Sequence, residues 1–229
     1  MKINPEVPHP RPRPALVIFD CDGVLVDSEL IASHVLADAL SEAGYKCPPA
    51  DCLGRFLGRD MTMVVDMVEA ETGRRLAKDF LDSVQERTFA AFRRALKPVP
   101  GVHAALAGLD QQICVASSGK PEKIALSLAL TGLDRFFDGR VFSASMVARA
   151  KPAPDLFLHA AAAMAVAPDC CLVIEDSPAG IEAARAAGMR VLGFAGASHG
   201  GPDHAAGLRA LGAETFADMS LLPALVERI

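Results

Sequence analysis

Short apolar runs alternate with helical patterns over most of the chain, and this alternation limits the possible folds more than any other feature. The apolar runs are followed by polar residues and occupy residues 15–19, 112–116, 140–142, 171–174 and 190–194. Helical patterns lie at residues 101–109, 121–130, 154–164 and 178–187. Runs that are apolar along their whole length are typical of strands buried on both faces. The sequence therefore predicts an α/β fold, a doubly wound, Rossmann-like parallel sheet with right-handed crossovers.

One long segment interrupts the alternation directly after the first apolar run. Between residues 28 and 96 the apolar residues repeat only at helical spacing. We therefore predict a helical cap domain at residues 28–96, inserted into an α/β core domain of residues 15–27 plus 97–229, and a flexible, proline-rich tail at residues 1–14. An insert attached beside the end of a strand can close over whatever that strand presents.

Composition restricts the class of partner. The 229 residues are 51% hydrophobic and 22% charged, with a net charge of -5, so no basic footprint for nucleic acid is present. The N-terminal stretch lacks the apolar region of a signal peptide or membrane span. The six cysteines form no CxxC pair, which favours reduced thiols in a cytoplasmic protein. We expect a monomer or homodimer that binds a small molecule rather than a nucleic acid or a membrane.

Polar and charged residues follow the predicted strands at the points where the strands end. Ligands of an open α/β sheet lie outside the carboxyl ends of its strands, so these residues are the first candidates for a site. They are Asp20, Asp22, Ser117, Ser118, Gly119, Lys151, Glu175 and Asp176.

The residue types in this set suit a phosphorylated ligand and a metal ion. Several carboxylates together fit a hard cation such as Mg²⁺. Lys151 and the Ser117 hydroxyl, with the main-chain N–H groups of Ser118 and Gly119, fit a phosphoryl group. One carboxylate is then free to attack phosphorus and form an aspartyl-phosphate, while a second moves protons.

Four motifs in order resemble those of the haloacid dehalogenase superfamily. With h for an apolar residue, the first motif hhhhDxDGhhhDS is met by LVIFDCDGVLVDS and the second, an apolar strand ending in Ser or Thr, by ICVASS. Lys151 before a proline meets the third motif, and VIEDSPAG meets the acidic fourth. The resemblance runs from about residue 16 to the C-terminus. It is to the Mg²⁺-dependent phosphatase branch with a helical cap, which includes sugar-phosphate phosphatases of the 6-phosphogluconate type and β-phosphoglucomutases.

This resemblance implies roles for the motif residues. Asp20 would be the nucleophile and Asp22 the general acid and base. Mg²⁺ would be held by the carboxylates of Asp20 and Asp176, by the backbone carbonyl of Asp22, and by Glu175 directly or through water. The implied activity is hydrolysis of a small phosphorylated metabolite, a sugar phosphate or a phosphorylated sugar acid, through an aspartyl-phosphate.

Three further motif residues have structural interpretations. We expect Asp27 to cap the first cap helix, Gly23 to serve a tight turn and Gly180 to allow close helix packing.

Candidate substrate contacts lie around the expected entrance to the site. Arg55, Gly58 and Arg59 fall in the cap, where an arginine can meet an anionic substrate, and His199 lies in a Gly-rich loop after the last predicted strand. The alternative is that the arginines are exposed on a cap helix and that His199 is an ordinary loop residue.

Two other functions remain open at this point. A β-phosphoglucomutase carries a His twelve residues after its nucleophile, whereas this chain has Ala32 there, so the resemblance favours a phosphatase. A receiver-type signalling domain also joins acidic residues, a Ser or Thr and a Lys, but it lacks the second aspartate of the DxD motif and an insert of this length. Asp22 also counts against the phosphonate-cleaving and dehalogenase branches.

Overall fold

The computed structural model describes residues 13–56 and 61–229. Most of the tail predicted at residues 1–14 lies outside these residues, as do Gly58 and Arg59. The core is a six-stranded parallel sheet whose strands, in chain order, are β1 (Leu16–Phe19), β2 (Gln112–Ser117), β3 (Val141–Ser143), β4 (Cys171–Glu175), β5 (Arg190–Phe194) and β6 (Glu214–Phe216). Their spatial order is β3-β2-β1-β4-β5-β6, which places the first strand at the centre of the sheet.

The described helices fall into two groups. Those between β1 and β2 begin with α1 (Glu29–Glu42), α2 (Pro49–Phe56), α3 (Met61–Thr72) and α4 (Phe80–Ala95), and end with α5 (Val102–Ala107) just before β2. The helices that follow the later strands are α6 (Pro121–Thr131), α7 (Asp134–Phe137), α8 (Asp155–Ala163), α9 (Pro178–Ala186), α10 (Pro202–Ala210) and α11 (Leu222–Arg228). None of the helices in the described ranges is long and apolar enough to cross a bilayer.

The sheet is buried on both faces, as the apolar runs predict. In β1, Val17 and Phe19 point into one buried cluster and Leu16 and Ile18 into another, because successive side chains of a strand face opposite sides. Residues of α5, α6 and α11 complete the first cluster, and residues of α8 and α9 complete the second. The predicted doubly wound α/β fold is therefore confirmed.

The sixth strand was not among the predicted runs. β6 spans three residues at the edge of the sheet, begins with the exposed Glu214 and pairs only with β5. A run this short and this polar carries no periodicity that distinguishes it from a loop.

The chain leaves the core and returns to it at adjacent points. The Asp27 amide donates to the Lys97 carbonyl at 3.0 Å, and the Val99 amide donates to the Leu25 carbonyl at 3.0 Å. Between these points, helices α1–α4 enclose an apolar cluster of their own that includes Leu40. This arrangement is what a helical insert requires, and the exact division into domains stays a prediction.

The expected role of Asp27 was wrong. Ser28 occupies the N-cap of α1, which has no side-chain cap. The Asp27 Oδ1 atom instead accepts hydrogen bonds from the Ser198 hydroxyl at 2.6 Å and the Ser198 amide at 3.1 Å. Asp27 therefore ties the start of the helical segment to the loop after β5.

Candidate functional site

Lys151 joins two of the predicted carboxylates at the carboxyl edge of the sheet. Its Nζ atom lies 2.7 Å from Asp20 Oδ1 and 2.6 Å from Glu175 Oε1, and it also donates to the Ala116 carbonyl at 3.0 Å. The Lys151 side chain is only 2% exposed. Burial alone would lower the pKa of Lys151, but the charges of Asp20 and Glu175 outweigh burial and raise it. Lys151 is therefore a permanent buried cation.

Glu175 is fixed through both of its carboxylate oxygens. Oε1 is bound by the Lys151 ammonium, while Oε2 accepts from the amides of Asp176 and Ser177 and from the Ser177 hydroxyl at 2.8–2.9 Å. Gly180 leaves the room for this carboxylate, since a Cβ atom there would lie 1.8 Å from Glu175 Oε1. The glycine expected to permit helix packing thus makes space for an acidic side chain.

Asp22 has a separate set of partners. Its Oδ2 atom pairs with Lys123 Nζ at 2.8 Å, and its Oδ1 atom accepts from the Ser28 hydroxyl at 2.6 Å. Burial works to raise the pKa of Asp22, but the charge and hydrogen bond of Lys123, with the hydrogen bond of Ser28, lower it below its ordinary value. Asp22 is therefore ionised in this arrangement.

Gly23 permits the turn that places Asp22 here. Its φ of +74° is in the left-handed region, and its amide donates to the Val26 carbonyl at 2.9 Å, as expected of a tight turn. A Cβ atom on Gly23 would also lie 1.9 Å from Asp176 Oδ2. Both conformation and space require glycine at this position.

The loop after β2 presents hydroxyl and amide groups to the same region. Ser117 is 1% exposed and its Oγ atom accepts from the Gly119 amide at 3.2 Å. The Gly119 carbonyl in turn accepts from the Ser143 hydroxyl at 2.7 Å, which holds the loop against the end of β3. Ser118 is exposed and lines the cavity described next.

A cavity of about 270 Å³ lies between this edge of the sheet and helices α1–α4. All of the side chains predicted at the strand ends line it, so the structure brings them together: Asp20, Asp22, Ser117, Ser118, Lys151, Glu175 and Asp176. The wall contributed by the helical segment is largely apolar, with Leu36, Phe56, Val84 and Phe89 among its members.

The balance of charge around this cavity favours a bound cation. Its described lining contains five carboxyl groups and three lysines, so negative groups outnumber positive ones when all of them are ionised. Burial raises the pKa values of Asp20 and Asp176 well above their usual range; Lys151 opposes the rise at both, and neighbouring carboxylates add to it. Such carboxylates offer the hard oxygen donors that Mg²⁺ prefers. Among the described residues no three His, Cys, Asp or Glu side chains are already arranged as metal ligands, so the fit of Mg²⁺ to this site rests on the chemistry of the oxygen donors and on charge.

Lys123 and Glu29 are among the cavity-lining groups that were not predicted from the sequence. Lys123 lies in the first turn of α6, which starts directly after the Ser117 loop, and that connection is the signal that could have identified it. Glu29 is the first residue of α1 and is half-buried, and its carboxyl group makes no hydrogen bond or ion pair with another described residue. Burial first, and then the charge of Asp22, raise the pKa of Glu29 to about 8.

The residues predicted to contact substrate are not among the described residues that line the cavity. Arg55 contacts Glu71 and Tyr45 at 2.5 Å and is not among the described residues that line the cavity. Gly58 and Arg59 lie outside the described residues. His199 does reach the site, because its Nε2 atom lies 2.9 Å from Asp176 Oδ2, but it does not line the cavity either.

Comparisons with known proteins identify the family. The profile of the haloacid dehalogenase-like hydrolases matches residues 14–188. The chain belongs to this family. It is 35% identical to 6-phosphogluconate phosphatase of Escherichia coli K12, in a match that covers 81% of this chain and 85% of that protein. It is 32% identical to fructose-1-phosphate phosphatase YqaB of the same strain, in a match that covers 77% of this chain and 94% of that protein. The crystal structure of a haloacid dehalogenase-like protein, ATU0790 of Agrobacterium tumefaciens C58, superposes with a TM-score of 0.83 at 41% identity and covers 94% of this chain and 98% of that one.

These findings confirm the expected superfamily and the expected enzyme class, a phosphatase hydrolase. The roles of the individual site residues stay predictions.

Proposed function

We propose that this hydrolase cleaves the phosphate ester of a small sugar phosphate or phosphorylated sugar acid through an aspartyl-phosphate, with Mg²⁺ as cofactor. The observation that carries the proposal is the buried Lys151 bridge between Asp20 and Glu175, at the floor of a cavity that Asp22 and Ser117 also line.

Asp20 is suited to act as the nucleophile. Lys151 holds its Oδ1 atom, while Oδ2 has no hydrogen-bond partner among the described residues and is free to attack phosphorus. Lys151 and the Ser117 hydroxyl, with the neighbouring loop amides, would bind the phosphoryl oxygens and stabilise the charge that they carry during transfer.

Asp22 is suited to move protons at the leaving oxygen and the attacking water. It is ionised beside Lys123 before a ligand arrives, and the negative charge of an entering phosphate raises the pKa of a nearby carboxylate. Asp22 would therefore gain the proton that the leaving group needs, and would act as the base once that proton has been given away.

The carboxylates of Asp20 and Asp176 and the Asp22 backbone carbonyl would hold the Mg²⁺ ion, with Glu175 contributing directly or through water. When bound, the ion supplies positive charge that offsets the carboxylates and the phosphoryl group.

The wall formed by the helical segment suits a substrate that carries hydroxyl groups. The hydroxyls of Ser33 and Thr88 donate to carbonyls of their own helices, at 2.9 and 2.7 Å, so they offer acceptors to the cavity. Glu29 offers a further carboxyl group without a described partner. Sugar hydroxyls can donate to these acceptors, and the names of the two phosphatase relatives agree with a phosphorylated sugar or sugar acid.

The mutase alternative is disfavoured by Ala32. This position lines the cavity, so a His expected there in a β-phosphoglucomutase would face the substrate, but the methyl group of Ala32 cannot exchange protons with it.

A panel of phosphorylated sugars, sugar acids and nucleotides, each with Mg²⁺, tests the proposal by phosphate release. β-Glucose 1-phosphate should yield phosphate without glucose 6-phosphate, and EDTA should stop the reaction reversibly. Glucose 6-phosphate as the main product would favour the mutase, one stoichiometric phosphorylation without turnover would favour the receiver, and a rate indifferent to EDTA would refute the role of Mg²⁺.

A further inference from the structure

Two histidines lie beside Asp176: His199, whose side chain is buried, and His204, which is half-buried. His199 Nε2 is 2.9 Å from Asp176 Oδ2, and the side chains of His199 and Asp176 are 1% and 4% exposed. The ring of His204 meets the ring of His199 edge-on, with centroids 5.2 Å apart and an angle of 77° between the planes. The proposed reaction assigns no role to either histidine.

Three of the four ring nitrogens lack an aligned hydrogen-bond partner among the described residues. They are both nitrogens of His199 and the Nε2 atom of His204, although His199 Nε2 is within reach of Asp176 Oδ2. A buried polar group without a partner costs about 1–3 kcal/mol, so a cluster of them is usually retained for a functional reason.

The loop that carries His199 is held firmly in place. Ser198, the preceding residue, donates twice to Asp27 Oδ1. Gly200, the following residue, donates to the Ala197 carbonyl at 2.8 Å and approaches the Ala195 carbonyl so closely that a Cβ atom would lie 2.3 Å from it. The imidazole is therefore presented to Asp176 by a fixed backbone.

His199 reaches the site through Asp176 and does not border the cavity. Asp176 lines the cavity, whereas His199 does not. Gly23 packs against both side chains, since a Cβ atom there would lie 1.9 Å from Asp176 Oδ2 and 2.8 Å from His199 Cε1. A direct contact with substrate, which the sequence suggested, does not follow from this geometry.

We infer that His199 is a positioning residue for the metal site, where its imidazole orients the Asp176 carboxylate and so sets the affinity for Mg²⁺. The inference rests on the proposed function, because Asp176 is a metal ligand only there. Groups that contact a ligand from outside the metal's own shell orient it, and their loss commonly weakens metal binding about 10- to 100-fold.

The test is the affinity of the full-length protein for Mg²⁺, measured by isothermal titration calorimetry without substrate. His199→Leu removes both ring nitrogens with little change in size, and His199→Gln keeps an N–H donor near the position of Nε2. His34→Leu is the control, since His34 is exposed on α1 and far in sequence from the acidic motif. We expect Mg²⁺ to bind His199→Leu about 10- to 100-fold more weakly than wild type, His199→Gln with a smaller loss, and His34→Leu normally.

The other outcomes are distinct. Wild-type affinity in a folded His199→Leu protein would overturn the inference and leave the proposed function standing. Equal losses of Mg²⁺ affinity in His199→Leu and His199→Gln would also overturn it, because a donor at Nε2 would then not matter. A raised KM for p-nitrophenyl phosphate with unchanged Mg²⁺ affinity would overturn it as well. If His199→Leu does not fold, the comparison of His199→Gln with wild type decides. Absence of Mg²⁺ binding in wild type would instead refute the metal in the proposed function.

Discussion

Replacing Gly180 with alanine tests whether the Glu175 carboxylate is held as tightly as its contacts indicate. Gly180 lies in the first turn of α9, where alanine is normally the better helix former. Its Cβ atom, however, would lie 1.8 Å from Glu175 Oε1 and 1.9 Å from Glu175 Cδ. Atoms that are not bonded cannot approach so closely, so the Glu175 side chain or the start of α9 must shift.

The size of the effect follows from what holds Glu175. If the Glu175 carboxylate moves by roughly 1.5 Å to make room for the Cβ atom, its Oε1 atom loses contact with the Lys151 ammonium. Loss of one partner of a buried ion pair costs about 3–5 kcal/mol. The gain in helix propensity offsets at most about 1 kcal/mol of this. We therefore expect the free energy of unfolding to fall by about 2–4 kcal/mol, which lowers Tm by roughly 5–15 °C in a chain of this size. Activity should fall by about 100-fold, since Lys151 loses its position.

Gly207→Ala is the matched control. Gly207 lies inside α10, where an added Cβ atom meets nothing within 4 Å. This variant should gain about 0.5–1 kcal/mol from helix propensity and keep full activity. Thermal and urea unfolding give the stabilities, and p-nitrophenyl phosphate hydrolysis gives the activities. The reasoning is refuted if Gly180→Ala is as stable and as active as Gly207→Ala.

Three further variants test the division of roles in the site. Asp20→Asn should abolish steady phosphate release in a protein that still folds, because the amide cannot attack phosphorus; substantial turnover would contradict the nucleophile. Lys123→Met should move the limb of the kcat/KM profile that Asp22 controls to higher pH, because Lys123 lowers the pKa of Asp22; a profile in which no limb moves would show that Asp22 controls neither limb. Glu29→Gln should leave p-nitrophenyl phosphate hydrolysis unchanged and lower kcat/KM for sugar phosphates about tenfold. In wild type the ratio of these two rates should change as the pH passes about 8, where Glu29 ionises, and a ratio without pH dependence would refute this role.

The sequence predicts the core motif residues well because of how parallel strands are arranged. Asp20, Ser117 and Glu175 are far apart in the chain, but each lies at the carboxyl end of a strand or just beyond it. The spatial order places β1 between β2 and β4, so these ends meet at one edge of the sheet. Recognition of the strands was therefore enough to predict which side chains converge.

Contacts that depend on how helices and loops pack could not be predicted from the pattern of strands in the sequence. Lys123 and Asp22 are separated by 101 positions, and no periodicity relates them. The direction of Arg55 depends on Glu71 and Tyr45, which only the packed helices bring beside it. The loop carrying His199 is likewise positioned by Ser198 and Asp27, a contact over 171 positions.

The pKa values of the two motif aspartates shift in opposite directions, and this difference also arises from how helices and loops pack around them. Asp20 and Asp22 are two positions apart, yet burial and neighbouring carboxylates raise the pKa of the first, whereas Lys123 and Ser28 lower that of the second despite its burial. Nothing in the DxD pattern distinguishes them, because the two residues have the same side chain. Positive charge placed among Asp20, Glu175 and Asp176 would return Asp20 to the ionised form that a nucleophile needs. The packed structure therefore distinguishes the two aspartates, and the proposed roles, Asp20 as nucleophile and Asp22 as proton carrier, depend on the proposed cation as well.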